Sequence, residues 1–283
     1  MVLPFTTRLQ TARVAIKRAG DDWNQIGDQA LFYWDSLIAI PRAVRQYKKE
    51  TLRLIAEISM GSGALAMIGG TGVVVGFLTL FTGGTIAVQG YSSLANIGVE
   101  ALTGFFSAFI NVRIAVPVIA GIALAATIGA GATAQLGAMR VSEEIDALET
   151  MAISSIPYLV STRIVAGMIA IIPLYSLASL AAFVASRFAT VVLYGQSSGV
   201  YDHYFNTFLI PSDILWSFVQ AICMAIAVML IHTYYGYNAD GGPVGVGVAV
   251  GNAVRASLVV VVVITLLTSL AIYGADGKFN LAG

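Results

Sequence analysis

Five long apolar runs constrain this chain more than any other feature of its sequence. They cover about residues 58–82, 97–139, 160–193, 212–236 and 244–273. A helix needs about 20 apolar residues to cross the hydrocarbon core of a bilayer, so each run is long enough for one crossing. Charged residues make up 11% of the 283 positions, against about 25% in an ordinary soluble domain. The sequence therefore predicts an all-α integral membrane protein with five transmembrane helices.

Net charge and cysteine usage exclude several classes of function. The formal net charge is zero, which gives no electrostatic reason to expect a nucleic-acid partner. The one cysteine, Cys223, lies in an apolar run, so neither an intrachain disulfide nor a cysteine-based metal site is predicted. The phosphate-binding pattern GxxxxGK followed by Ser or Thr does not occur. We expect no catalytic residue, no metal and no cofactor on this chain.

Residues 1–53 differ from the rest of the chain because basic and aromatic side chains are interleaved there. They contain nine of the fifteen Lys and Arg residues. Basic residues concentrate on the inner side of a bilayer, and Trp and Tyr favour the headgroup level. The segment is predicted to form one or two amphipathic interfacial helices on the cytoplasmic face, with residues 54–283 as the membrane domain. A soluble basic tail is the alternative.

The basic N-terminus also sets the predicted orientation. With the N-terminus inside, the outside segments are 83–96, 195–211 and the C-terminus, and the inside segments are the acidic stretch near 142–152 and the turn 237–243. Neither outside loop contains Lys or Arg, whereas Arg140 and Arg163 flank the inside stretch. We therefore expect a multi-pass protein with a cytoplasmic N-terminus and an external C-terminus.

Two of the runs raise questions about helix boundaries. The first ends at FTGG, residues 81–84, where the glycines predict a break. The second, residues 97–139, would measure about 64 Å as one helix, twice the hydrocarbon thickness. Either that helix projects past the bilayer, or it breaks at Pro117 or at one of the glycines 129, 131 and 137.

An acidic stretch follows the second run. Ser142 is predicted to be a helix N-cap, and Glu143 and Glu144 directly after it suit the positive end of the helix dipole. A helix of about ten residues is expected, too short to span. Its apolar face holds Ile145, Leu148, Met151 and Ala152, and its acidic face holds Glu143, Asp146 and Glu149. Such a helix docks into a groove of a soluble partner, or packs on the protein's own underside with its charges solvated.

Arg113 is a charged side chain inside the second run. Glu100 lies about 20 Å away along a continuous helix, too far to pair with it. Arg113 is therefore either a substrate-pocket residue or an arginine that extends to the outer headgroups. No carboxylate is clearly placed at mid-membrane, which disfavours an ion-coupled secondary transporter.

A resemblance connects these features. The stretch TAQLGAMRVSEEIDALETM, residues 133–151, closely resembles the signature of the MlaE/YrbE family of lipid-transporter permeases. Further matches are Gln89-Gly90-Tyr91, Arg113 followed by Pro117, Gly236-Tyr237, and the glycine-rich run 241–252. The glycine-rich run and the long N-terminal region are most similar to the actinobacterial YrbE branch, where two non-identical permeases pair.

The resemblance implies a permease subunit of an ABC-type transporter in the bacterial cytoplasmic membrane, with residues 54–283 as the MlaE-type permease domain. Its implied partners are a second, non-identical permease, a cytoplasmic ATPase dimer that binds ATP and Mg, and mammalian-cell-entry (Mce) substrate-binding proteins, as a hetero-hexamer. The implied cargo is a hydrophobic lipid such as a fatty acid, a mycolic-acid derivative or a sterol. A scaffold that only anchors Mce proteins is the alternative from a different class.

The resemblance also assigns residues. It implies a coupling helix at about 142–152 that contacts the ATPase through Ser142, Glu143, Glu144, Asp146, Leu148, Glu149 and Met151. It implies a lipid path near Gln89, Tyr91 and Arg113. Three positions lack a charge that family members often or sometimes carry, namely Gln135 for Glu, Thr127 for Arg and Ile114 for Glu. One hypothesis is that the partner permease keeps these charges.

Overall fold

A computed structural model describes residues 27–60 and 70–274, which form helices joined by short turns. In chain order the helices are α1 (27–38), α2 (Ile40–Gln46), α3 (Lys48–Met60), α4 (Thr71–Ala95), α5 (Glu100–Val141), α6 (Glu144–Thr150), α7 (Ile156–Leu193), α8 (Ser198–Phe208), α9 (Pro211–Tyr237) and α10 (Gly242–Tyr273). Five of them, α4, α5, α7, α9 and α10, are long and apolar enough to cross a membrane. This confirms the predicted all-α fold and the number of crossings.

The spanning helices form one bundle with α7 near its centre. Helix α7 packs against α4, α9 and α3, while α5 packs against α9 and α10. The core consists of side chains with almost no exposed surface, including Leu124, Ile164, Tyr175, Met224 and Met229. Helices α1–α3, α6 and the turn 238–241 lie at one end of the bundle, here called the α6 end. The turn 96–99 and α8 lie at the other, the α8 end.

The first crossing was predicted too early in the chain. Helix α4 runs from Thr71 to Ala95, so FTGG lies inside it and most of the predicted loop 83–96 is helical. Gly83 faces α7, where its carbonyl accepts a 2.8 Å hydrogen bond from Ser186 Oγ. The glycine permits close helix packing and does not break the helix. Part of the predicted run, 61–69, lies outside the described residues.

The long second run is one continuous helix. It contains two π-helical turns, Asn111–Ala115 and Ala125–Gly129, the first directly before the segment that carries Pro117. A π turn shifts the hydrogen-bond pattern, so the missing N–H of proline is accommodated without a break. With 42 residues, α5 is about 63 Å long and exceeds the hydrocarbon thickness.

The segment 195–211, predicted as a loop, contains helix α8. Tyr201 anchors this helix with 1% of its surface exposed, and the backbone of α8 there lies directly against Gly104 of α5. Asp202 accepts two 2.9 Å hydrogen bonds from Arg187, which hold the pKa of its carboxyl below the ordinary value. Short amphipathic helices without a long apolar run are hard to distinguish from loops in a sequence.

The N-terminal helices pack on the α6 end. The ring centre of Phe32 in α1 lies 5.4 Å from the ring centre of Tyr234 and 5.5 Å from that of Tyr237. Trp34, on another side of α1, is 64% exposed, as an interfacial aromatic residue would be. The prediction for residues 1–26 lies outside the described residues, and the boundary at residue 53 stays a prediction.

Adjacent glycines in α4 provide a test of the packing with α7. A Cβ atom at Gly83 would lie 2.5 Å from the carbonyl oxygen of Ala182, whereas one at Gly84 would meet no heavy atom within 4 Å. We expect Gly83→Ala to destabilise the bundle by about 1–3 kcal/mol through overpacking, and Gly84→Ala to be neutral. Thermal unfolding of the two variants in detergent measures these effects. Equal melting temperatures would contradict the close contact between α4 and α7 at Gly83.

Candidate functional site

Helix α6 begins at Glu144 with Glu143 as its N-cap, one residue later than predicted. Ser142 is the C-cap of α5 and not the N-cap of α6. Its hydroxyl lies 3.0 Å from the carbonyl oxygen of Ala138 and 2.9 Å from Glu144 Oε1. Glu143 links the helices in the left-handed conformation, with φ of 59°. The link between α5 and α6 is therefore a tight turn, which leaves the carboxylates of Glu143 and Glu144 exposed.

A small apolar cluster fixes α6 on the bundle. Ile145 is completely buried and packs with Leu136 of α5 and Leu159 of α7, and Leu148 lies half-buried beside them. Met151, predicted to share this face, is 62% exposed. The amphipathic prediction therefore holds for the first turn of α6, whereas the end of the helix presents an apolar side chain at the surface.

Two of the four carboxylates also attach α6 to the bundle. Asp146 pairs with Arg140 at 2.8 Å. Glu149 accepts a 2.6 Å hydrogen bond from Ser155 and a 3.3 Å hydrogen bond from Tyr237 at the end of α9. Together with the packing of Ile145 on Leu159, these contacts connect α6 to α5, α7 and α9.

An open groove of about 560 Å³ lies beside α6. It separates the turn before α7 from α1 and α2, and its polar lining is Asp35, Arg42, Glu149, Ser154 and Ser155. Charged side chains of both signs thus line a concave surface next to the exposed end of α6. Such a surface suits a polar protein segment better than a lipid tail.

Of the three uncharged departures from the family pattern, two make hydrogen bonds within the chain and the third is exposed. Gln135 lies 3.5 Å from Glu57 of α3, so its amide donates to a carboxylate within the same chain. The Thr127 hydroxyl donates to the Ala123 carbonyl at 2.6 Å. Ile114 is 43% exposed. The hypothesis that a partner permease carries the missing charges stays a prediction.

Near the α8 end, Arg113 has an acidic partner that was not predicted. Its Nε and Nη2 atoms donate to Asp213 Oδ2 at 3.0 and 2.7 Å, and its guanidinium lies 4.2 Å from the ring centre of Phe109. Both charged side chains are about 15% exposed. Asp213 stands in the first turn of α9, where the helix dipole also favours a negative charge. Arg113 is therefore neutralised inside the bundle.

The other two predicted lipid-path residues lie on α4. Gln89 is exposed and donates to Ser93 at 3.4 Å, and the ring of Tyr91 stacks on that of Tyr194 with centroids 4.2 Å apart. One helical turn away, an apolar groove of about 560 Å³ runs between α4 and α7. Its lining includes Phe77, Phe81, Val88, Val184, Phe188 and Leu193. Tyr194 directly follows Leu193, which lines this groove.

Sequence reasoning missed two partners, Asp213 and Glu57. Each lies about 80–100 residues from the side chain that it contacts, and nothing in the spacing of one sequence indicates which distant residues meet. A carboxylate in the first turn of a helix directly after Pro211 was the available signal for Asp213, because it marks a charge at the entry to the membrane.

The Arg113–Asp213 pair can be tested against an exposed pair. We expect Asp213→Asn to cost about 3 kcal/mol, because it leaves a guanidinium in the bundle without its counter-charge. Asp202→Asn, which breaks an ion pair with side chains 51% and 42% exposed, should cost less than about 1 kcal/mol. Denaturant unfolding of both variants in the same detergent measures the two losses in free energy of unfolding. Equal losses would contradict the assignment.

Comparison with known proteins agrees with this architecture. The family model of the permease MlaE matches residues 60–271. A probable ABC transporter permease protein of Rickettsia felis is 30% identical over 207 residues, covering 70% of this chain and 76% of the relative. The intermembrane phospholipid transport system permease protein MlaE of Haemophilus influenzae is 26% identical over 262 residues, covering 92% and 96%. This multi-pass membrane protein belongs to the MlaE permease family.

Proposed function

We propose that this chain is the permease subunit of an ATP-driven Mce-type lipid transporter in the bacterial cytoplasmic membrane. The observation that carries the proposal is helix α6, which lies within the family match and joins a buried anchor, Ile145, to an exposed acidic and apolar tip. The name of the Haemophilus relative supports lipid as the cargo. Fatty acids, mycolic-acid derivatives and sterols are the proposed lipids.

The α6 end faces the cytoplasm in this proposal. A separate ATPase dimer binds ATP and Mg and contacts Glu143, Glu144 and Met151, whose side chains are exposed. Movement of the ATPase then pushes α6. Since Ile145, Asp146 and Glu149 attach α6 to α5, α7 and α9, the push tilts these helices together and opens or closes a cavity near the α8 end.

The lipid path runs along the outer half of the bundle. A second, non-identical permease completes a cavity between the two chains, and a hetero-hexamer of Mce proteins continues it outside the membrane. The groove between α4 and α7 accepts an acyl chain, because its walls are apolar and open to the side. Gln89 and the stacked Tyr91 meet the polar part of the lipid. Arg113, held by Asp213, shapes the wall of the path.

Charge reversal on α6 tests the coupling role. In Glu143→Lys/Glu144→Lys the reversed side chains point away from the bundle, so the fold should stay intact. We expect binding of the ATPase subunit to weaken about tenfold, because complementary charges at the contact become repulsive. Co-purification from membranes and lipid-stimulated ATP hydrolysis measure the effect.

The matched control is Asp28→Lys, a reversal of an exposed carboxylate on α1 at the same end. It should leave ATPase binding unchanged. If the α6 double variant binds the ATPase and moves lipid as the unmodified chain does, α6 is a solvated surface helix and the coupling assignment is wrong.

A further inference from the structure

Three of the five arginines in the spanning helices share a pattern. In three ion pairs an arginine contacts an aspartate within 3 Å, namely Arg113 with Asp213, Arg140 with Asp146 and Arg187 with Asp202. A fourth, Arg163, is buried and donates to the carbonyl oxygen of Leu159 at 2.8 Å. Charges in a membrane helix are costly, and a nearby acid is the usual compensation.

Arg255 of α10, like Arg163, has no aspartate partner among the described residues, but Arg163 is buried in the bundle whereas Arg255 is exposed. Its Nε donates to the carbonyl oxygen of Gly251 and its Nη2 to Asn252 Oδ1, both at 3.1 Å. Both acceptors are neutral and lie on its own helix. Among residues 27–60 and 70–274, no carboxylate lies within ion-pair distance of its guanidinium. The side chain is exposed.

The position of Arg255 places it well inside the span. It follows Gly242, the first residue of α10, by 13 positions, which is about 20 Å along the helix axis. It shares one face with Val248, Val259, Val262 and Leu266, which are 54–64% exposed. We call this set, with Asn252, the α10 outer face. The opposite side of α10 packs on the bundle through Ala253, Ser257 and Val261, which are fully buried.

We propose that the α10 outer face binds a spanning helix of a second, non-identical permease chain that presents a carboxylate opposite Arg255. This inference rests on the proposed function, in which two permeases form the transporter. An apolar helix face alone would suit lipid tails. The guanidinium in its middle needs an anion at the same depth, and a carboxylate on a packed helix supplies one, as Asp213 does for Arg113.

The same residue disfavours pairing of this chain with itself. Two copies related by a two-fold axis along the membrane normal place each residue of the face at the level of its own copy. Two α10 helices packed in this way would bring the two Arg255 guanidinium groups together in a medium of low dielectric constant. Arg255 therefore selects a partner of opposite charge and rejects a second copy.

Disulfide cross-linking between copies of this chain tests the selection without the natural partner. Cys223 is the one cysteine, so Cys223→Ala/Val259→Cys carries a single reporter on the α10 outer face. Two differently tagged copies are co-expressed, one with Arg255 and one with Arg255→Glu, and oxidised in membranes. The mixed pair should cross-link about tenfold more than either copy with itself, because only the mixed pair brings opposite charges together.

Two further variants complete the test. Arg255→Leu provides a second variant in case the glutamate variant inserts poorly into the membrane, because leucine fits an apolar face. Cross-linking of the Arg255→Leu chain with itself should exceed that of the Arg255 chain with itself. A reporter at Leu180, 63% exposed on α7, should not respond to residue 255. Efficient cross-linking of the Arg255 chain with itself, or equal yields for all pairs, would overturn the proposal and leave an anionic lipid headgroup as the partner of Arg255.

Failure of this inference and failure of the proposed function are distinguishable. If the native complex moves lipid with ATP while residue 255 has no effect on cross-linking, only the inference fails. If charge at residue 255 controls pairing but no ATP-driven lipid movement occurs, the α10 interface stands and the transport proposal fails.

Discussion

A charged side chain in an apolar surrounding needs a counter-charge, and among the arginine–aspartate pairs of this structure Arg113–Asp213, with both side chains about 15% exposed, meets this requirement inside the bundle. Arg113 meets Asp213 at the entry of α9, Arg187 meets Asp202 of α8, and Arg140 meets Asp146 of α6. Each pair joins two different helices. The short helices α6 and α8 are therefore attached to the bundle by an ion pair in addition to one buried side chain, Ile145 in α6 and Tyr201 in α8.

The coarse fold was predictable because it depends on hydropathy and length. Five runs gave five crossings, and the turn 238–241 lies where it was expected. The errors concern features decided by packing. Gly83 suggested a break, yet it lies inside α4 because α7 approaches closely there. Helix α8 looked like a loop, since its stability comes from contacts of Tyr201 and Asp202 with distant residues.

The sequence predicted the candidate site to a similar extent as the fold. The acidic stretch does form a short amphipathic helix, but the cap at Ser142 was wrong and only Ile145 and Leu148 use the apolar face. The pairing of Arg113 with Asp213 changes the chemistry expected of Arg113, because a neutralised guanidinium is a weaker anion site than an isolated one. The roles of α6 and of the lipid path remain proposals, supported by the family match and by which side chains are exposed.

The most direct test of the transporter account is ATP-dependent transfer of a fluorescent fatty acid by the purified complex in vesicles, with Gly84→Leu compared with Gly76→Leu. A Cβ atom at either glycine of α4 meets no heavy atom within 4 Å, but only Gly84 lines the apolar groove between α4 and α7. Transfer should require ATP, and Gly84→Leu should reduce it while Gly76→Leu does not. Transfer without ATP, or equal transfer by the two variants, would contradict the transporter account.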